Sequence, residues 1–338
     1  MSQGRDRLPS WLAAPWARLQ QARVADRLPH ALLLSGPAGV GKRALLERFS
    51  RALLCAAPDT EGQACGRCAE CVLLAAGNHP DLVRVGPDPE SKSGDIPIAA
   101  IRTLCAGEAL TPSRVARRVV LIDPADHLNA AAANALLKTL EEPVGRTLLC
   151  LVAEHPERLP ATIRSRCQQL RIALPAEAEA LAWLRGRLPD EQAALALRLA
   201  HGAPLAALDR LDPERLEARA QRLQGFIALA RGERAPLAEA AAWNKLGAAL
   251  LLEWMAGWLC DLLRLGASAT PPRLDNPDQR EALAALASRL DPVAAHRFFR
   301  RVLEARTQCE GSVNAQLLLE SLAIEWRELA VSGRAASA

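Results

Sequence analysis

Residues Ala31–Arg43 read Ala-Leu-Leu-Leu-Ser-Gly-Pro-Ala-Gly-Val-Gly-Lys-Arg, and this stretch decides the fold. An uncharged apolar run enters a glycine-rich turn, and the turn opens an amphipathic helix expected from about Gly41 to Leu54. Strand, G-x-x-x-x-G-K loop and helix in that order make a phosphate-binding loop. Gly36, Gly39 and Gly41 let backbone N–H groups turn inward, the helix N-terminus adds its positive end, and Lys42 adds a point charge.

Working outward, further strands are expected at Asp81–Val85, Arg118–Ile122 and Leu148–Val152, and a final β-like run at Gln168–Ile172. Helical patterns separate them at Ile98–Leu110 and Ala130–Glu142. Short strands alternating with helices predict an α/β domain with a parallel sheet covered on both faces. After Leu174-Pro175 only helical periodicity remains, broken at Gly202-Ala203-Pro204 and around Pro271-Pro272. The predicted division is an α/β phosphate-loop domain over 1–174, a small helical lid domain over 175–212 and a larger helical C-terminal domain over 213–338. Gly266–Asp278 reads as a long inter-helix loop, and the tail after Ser332 as disordered.

Half of the 338 residues are apolar, so a substantial core is affordable. A net charge of +4 permits nucleic-acid contact without demanding it. Tyrosine is absent and aromatics make up 3%, which argues against base-stacking platforms. The N-terminal MSQGRDRLPS has no apolar segment of the secretory kind. The most apolar stretch, Leu246–Leu265, carries Glu253, Asp261 and Arg264, which are costly in lipid; it reads as a buried or amphipathic helix, not a membrane span. The expected location is the cytoplasm, where nine cysteines argue against disulfides.

Four of those cysteines, Cys55, Cys65, Cys68 and Cys71, are spaced C-x9-C-x2-C-x2-C. Two tight C-x2-C steps bring thiolates to one tetrahedral centre, a strong sign of Zn²⁺. Four protein ligands close the site, so the metal is expected to be structural, stapling an excursion over 55–71. The remaining cysteines, Cys105, Cys150, Cys167, Cys260 and Cys309, read as core packing.

The phosphate loop departs from a working one. Its eighth position normally carries a Ser or Thr whose hydroxyl ligates Mg²⁺; here it is Arg43, which has no lone pair to offer. The Val119–Asp123 run looks like a Walker B strand with Asp123 in the metal-orienting place, but Pro124 follows where such ATPases usually place a glutamate. Asp126 is offset by three residues and substitutes poorly. Hydrolysis of ATP is therefore expected to be slow or absent. Binding of ATP or ADP stays open, because the loop amides and Lys42 remain available.

Two further segments make the reading specific: Asn134-Ala135-Leu136-Leu137-Lys138-Thr139-Leu140-Glu141-Glu142-Pro143, and Leu159-Pro160-Ala161-Thr162-Ile163-Arg164-Ser165-Arg166-Cys167. With the phosphate loop and the zinc cysteines, they resemble the clamp-loader subunits of bacterial DNA polymerase III, AAA+ proteins that open a sliding clamp and place it on primed DNA. At motif level the resemblance covers roughly the first half of the chain and continues weakly to Asn314–Leu322. The family has an ATPase type and a delta-prime type. This chain has Ala153-Glu154 where the ATPase type carries threonines that sense the γ-phosphate, and Gly202-Ala203-Pro204-Leu205 where that type has a phosphate-touching Gly-x-x-Arg. Arg166 of the Ser-Arg-Cys motif survives. The departures therefore resemble the delta-prime type.

That resemblance implies a hetero-pentameric ring with gamma/tau ATPase subunits and a delta subunit, acting on the sliding clamp and primer-template DNA. It implies that Arg166 acts in trans as an arginine finger on a neighbour's ATP, that Arg102 and Lys138 touch duplex phosphates, and that the C-terminal helices form an oligomerising collar. Solvated helix faces are an equal reading for Arg102 and Lys138. Arg164 is a candidate to position Arg166. Trp11 and Trp16 are expected to pack onto the first domain, Trp243, Trp254, Trp258 and Trp326 to fill the C-terminal helices, and His30 to be a hydrogen-bonded structural residue. Two competing functions are an active gamma/tau-like ATPase subunit, against which Arg43, Pro124 and Leu205 speak, and a zinc-dependent nucleic-acid-binding module, which only the modest positive charge favours.

Overall fold

In β1 (Ala31–Ser35), Ala31 and Leu33 enter one apolar core while Leu32 and Leu34 enter another, because successive residues of a strand point to opposite faces. The same alternation runs through β3 (Arg118–Ile122) and β4 (Thr147–Ala153), where Val120, Ile122, Leu149 and Leu151 share the first core and Val119, Leu121, Leu148 and Val152 the second. Burial on both faces explains why these strands read as continuous apolar runs. With β2 (Leu82–Val85) and β5 (Gln168–Arg171) they form a five-stranded parallel sheet in the order β2-β3-β4-β1-β5. The computed structural model describes residues 8–88, 94–106, 111–142, 146–309 and 313–335. The first seven residues, the end of the helix expected to reach Leu110, Pro143 at the end of the Asn134–Pro143 segment and the last three residues lie outside them.

One core is covered by α4 (Ile98–Cys105), α5 (Ala130–Glu141) and α6 (Ala161–Arg166); the other by α1 (Ala13–Val24), α2 (Lys42–Leu54) and α3 (Ala69–Ala75). Trp16 meets Phe49 edge-on at 6.2 Å, as packing onto this domain requires. His30 differs from expectation. Its ring Nε2 is buried without a hydrogen-bond partner, and its contribution is the main-chain carbonyl that accepts from the Leu149 N–H at 2.8 Å.

By packing, the chain forms two units, 1–183 with 203–206, and 184–202 with 207–338. The segment 175–212 is thus shared between them. Among the described residues the second unit contains helices and no strand. After α7 (Glu177–Arg185), α8 (Asp190–Leu199) and α9 (Pro204–Leu208), its core gathers α10 (Pro213–Arg231), α11 (Pro236–Asn244), α12 (Ala248–Ala267), α13 (Arg280–Ala287), α14 (Pro292–Cys309) and α15 (Ala315–Ala335) around Trp243, Trp254, Trp258 and Trp326. The Trp326 and Phe226 rings stack at 4.2 Å, and the indole N–H donates to the Phe226 carbonyl at 2.8 Å. Asp261, inside the most apolar stretch, is fully buried and accepts from Arg264, the Asp275 and Asn276 amides and the Asn276 side chain. That saturation is what makes a buried carboxylate tolerable. Residues 333–335, expected to be disordered, continue α15, whose last turns are anchored by buried Trp326 and Ala330. Among the described residues no single helix is long and apolar enough to cross a membrane; α11 and α12 pass such a test only jointly, and they are bent by 118°.

Candidate functional site

The carboxyl ends of β1, β3 and β4 lie side by side, with Ser35 opposite Ala153 and Ile122 opposite Leu151. Ligands of open parallel sheets bind at this edge. The edge brings together the phosphate loop after β1, Asp123 after β3 and Glu154 after β4.

Gly36, Gly39 and Gly41 all have positive φ, so the loop has the curl expected of it, and α2 starts at Lys42. The loop's interior is nevertheless in use. Lys42 is buried, and its Nζ donates to the carbonyls of Gly36 at 2.6 Å and Pro37 at 2.7 Å. Burial lowers its pKa, against the opposing pull of Glu154 and Asp126. Arg43 reaches across to Asp123 as a two-point pair, Nε to Oδ2 at 2.5 Å and Nη2 to Oδ1 at 3.0 Å. Hydrogen bonding to Asp123 raises the Arg43 pKa further. Both carboxylate oxygens that would face a metal and its waters are thereby engaged by a guanidinium.

Asp126 is tied to the chain after β4 rather than free to polarise a water: its Oδ2 accepts from the Glu154 and His155 amides at 3.2 and 2.9 Å. Lys42 and Arg43 both feel the charges of Asp123, Asp126 and Glu154. The loop is also covered by its own chain. The Leu205 N–H donates to the Gly39 carbonyl at 3.0 Å, and the Trp11 indole to the Val40 carbonyl at 2.9 Å. Sequence reading gave neither contact, since each joins residues far apart in the chain.

Cys55, at the end of α2, meets Cys65, Cys68 and Cys71 with all four sulfurs within 4.8 Å of one another. Cys55–Cys68 and Cys65–Cys71 separations are 3.9 and 4.0 Å. A tetrahedral Zn–S bond of about 2.3 Å requires sulfur separations of about 3.8 Å, so the residues fit the ion. Amide N–H groups point at two of the sulfurs, Cys65 N to Cys55 Sγ and Cys71 N to Cys68 Sγ. The Cys71 amide helps bring the Cys68 thiol down to about 6, whereas burial pushes Cys71 up to about 12. A dication offsets that burial cost, because a coordinating thiol is deprotonated by the metal. Next to the cluster, Glu70 pairs with Arg114 through two 2.9 Å bonds and lies 3.0 Å from His79, tying α3 to the start of β2.

Arg166 is the last residue of α6 and is half-buried. Its Nη1 donates to the Thr162 carbonyl at 3.0 Å, and its Nη2 pairs with Glu141 at 2.5 Å. Arg164 is not its partner; the Arg164 Nε is buried without an acceptor. Glu141 is the group the sequence reading missed, although it lies inside the quoted Leu140-Glu141-Glu142 motif. Arg102 on α4 and Lys138 on α5 are exposed, on helices that pack together.

Residues 12–176 match the family described as DNA polymerase III, delta subunit, and residues 213–328 match its C-terminal counterpart. DNA polymerase III subunit delta' of Pseudomonas aeruginosa is 38% identical over 325 residues, 93% of this chain and 97% of its own. The Escherichia coli subunit delta' is 35% identical over 317 residues, 92% and 93% of the two chains. DNA polymerase III subunit tau of Bacillus subtilis is 35% identical over only 151 residues, 45% of this chain and 26% of tau. With delta' relatives matched nearly end to end, this chain belongs to the family of DNA polymerase III delta' subunits, components of the clamp loader.

Proposed function

We propose that this subunit does not hydrolyse ATP itself and instead supplies Arg166 to ATP held by a neighbouring ATPase subunit of the loader. The observation that carries the reading is the Arg43–Asp123 pair, in which a guanidinium engages the carboxylate expected to orient Mg²⁺. Lys42 bonded to its own loop and the carboxylates of Glu154, Asp126 and Asp123 near it support the reading, since both weaken attraction for a triphosphate. A guanidinium brought to the γ-phosphate stabilises charge that develops in phosphoryl transfer, with rate gains of about 10³ to 10⁵ where arginine fingers have been measured. Its planar fork and permanent charge suit this better than an ammonium.

In this reading the neighbours are gamma/tau and delta subunits in a five-membered ring, which places the sliding clamp on primer-template DNA in the cytoplasm. Arg102 and Lys138 touch DNA phosphates, and the helices over 213–338 form the collar, beyond a lid over 175–212. Cys55, Cys65, Cys68 and Cys71 hold one structural Zn²⁺, which orders the excursion between α2 and α3 and takes no part in the chemistry.

The test is the clamp- and primed-DNA-stimulated ATPase rate of a reconstituted loader carrying the wild-type chain or Arg166→Ala, beside the isolated chain. The expected result is an inert isolated chain and a loader slowed at least tenfold at the affected seam by Arg166→Ala, about the scale of a lost transition-state contact, with assembly unchanged. An unaffected loader refutes the finger; turnover by the isolated chain that Lys42→Ala abolishes refutes the inactive site.

A further inference from the structure

An arginine side chain has several rotatable bonds, and it reaches a phosphate across a subunit seam efficiently only if something aims it. The geometry points to Glu141 as the residue that positions Arg166, an inference that rests on the arginine-finger reading above. Two anchors from two different helices hold the guanidinium. Thr162 O, one turn back on α6, takes Nη1, and Glu141 Oε1, at the end of α5, takes Nη2. α5 and α6 pack against each other, so the anchors are fixed relative to one another.

Five N–H donors are available on a guanidinium. The two anchors occupy one on each terminal nitrogen and leave the others for an incoming phosphate oxygen. The side chain stays 35% exposed, and that of Glu141 49%. An ion pair this open to solvent adds little to stability, because water screens it. What it does is restrict rotation about the long side chain before the neighbour's phosphate arrives, the kind of support a functional group needs from the residues behind it. Arg164 cannot serve, since it is a like charge.

Glu141 is therefore a positioning residue, acting only through Arg166. The experiment uses the reconstituted loader with Glu141→Ala, Glu141→Gln, Arg166→Ala and the double variant Glu141→Ala/Arg166→Ala. The readouts are kcat and KM for ATP with clamp and primed DNA, and assembly by gel filtration. Glu141→Ala is expected to lower kcat about three- to tenfold, the scale of one partly exposed charge-assisted contact. KM and assembly stay as in the wild type. Glu141→Gln, which keeps an acceptor oxygen and the side-chain shape, recovers part of the loss. The double variant is no slower than Arg166→Ala alone, a non-additivity that a merely structural role would not produce. A Glu141→Ala loader with wild-type or raised kcat overturns the positioning role, as does a double variant clearly slower than Arg166→Ala. Should Arg166→Ala itself leave the loader unchanged, the finger reading fails and this inference with it. A slow Arg166→Ala loader beside a normal Glu141→Ala loader overturns the positioning role alone.

Discussion

Replacing Arg43 by threonine restores the hydroxyl that working phosphate loops present to Mg²⁺, yet the expected product is a less stable chain that still does not turn over ATP. The magnitude follows from the pair it removes. Arg43 contacts Asp123 at two points, but its side chain is 66% exposed and that of Asp123 24%. Solvent screening limits such a pair to about 1 kcal/mol even with good two-point geometry. Removal also leaves Lys42 alone against Asp123, Asp126 and Glu154, where two cations had faced three carboxylates. A total loss of about 1–2 kcal/mol corresponds to a fall in Tm of roughly 2–8 °C for a domain of some 150–250 residues. The loss should shrink in high salt, because exposed charges are screened. Catalysis stays absent for reasons Arg43→Thr does not touch. Pro124 offers no carboxylate to polarise water, Lys42 is committed to two carbonyls, and the Leu205 amide holds the Gly39 carbonyl. The assay is thermal unfolding at low and high salt, beside steady-state ATPase with Mg²⁺. Turnover by Arg43→Thr alone refutes the claim that the site is inactive on several counts, and a Tm equal to the wild type refutes the electrostatic role given to the pair.

The zinc cluster predicts one Zn²⁺ per purified chain by elemental analysis; Cys68→Ser or a strong chelator should remove it and lower Tm, and a wild-type chain purified without metal at unchanged Tm would count against the site. Asp81 gives a pH prediction. Burial pushes its carboxyl up, but the Ser113, Arg114 and Val115 amides and the Ser113 hydroxyl outweigh that and hold it below the ordinary range. A depressed folded pKa stabilises above the unfolded value near 3.9, and that stability is lost as pH falls through the folded pKa. Asp81→Asn turns one acceptor into a donor among N–H groups, so about 2–3 kcal/mol should be lost at neutral pH, together with this part of the acid dependence in urea unfolding; a variant with wild-type stability would show that the four bonds contribute nothing net.

The positions of the central strands β1, β3 and β4 are legible because burial on both faces leaves nearly continuous apolar runs. Arg118–Ile122 coincides with β3, and Leu148–Val152 lies within β4. The cysteine spacing was equally legible, since two of its steps are local and the sulfurs do converge. What sequence could not show are contacts set by tertiary packing. From sequence Arg43 is only a residue with no lone pair for a metal, whereas the fold gives it Asp123, eighty positions away, as a partner. Glu141 lay in a quoted motif, yet its pairing with Arg166 depends on how two helices end. Asp275 and Asn276 fell in a stretch read as loop, although both are buried and their amides bond to Asp261. Arg164 lies nearer Arg166 in sequence than Glu141 does, yet a like charge cannot pair with it.

The glycines of the loop raise a different point, because a motif can persist for a reason other than the ligand it is known for. A Cβ added at Gly36 would sit 2.1 Å from the Ile172 carbonyl oxygen, and one at Gly39 would sit 2.5 Å from the Ala206 Cβ. Ile172 is itself fixed, its N–H donating to the Ser35 carbonyl at 2.7 Å. The φ at Gly36 is +149°, where L-residues are strained whatever the space. The curl of the loop is thus required by the packing of the chain on itself, with no phosphate involved. Gly36→Ala should then cost about 2–4 kcal/mol of stability with no nucleotide present, the scale of a backbone clash combined with a disfavoured conformation. Urea unfolding of the isolated chain without ATP or ADP measures it. A glycine kept only to let backbone approach a ligand would leave that stability unchanged on substitution, and such a result would return the phosphate loop to its usual explanation.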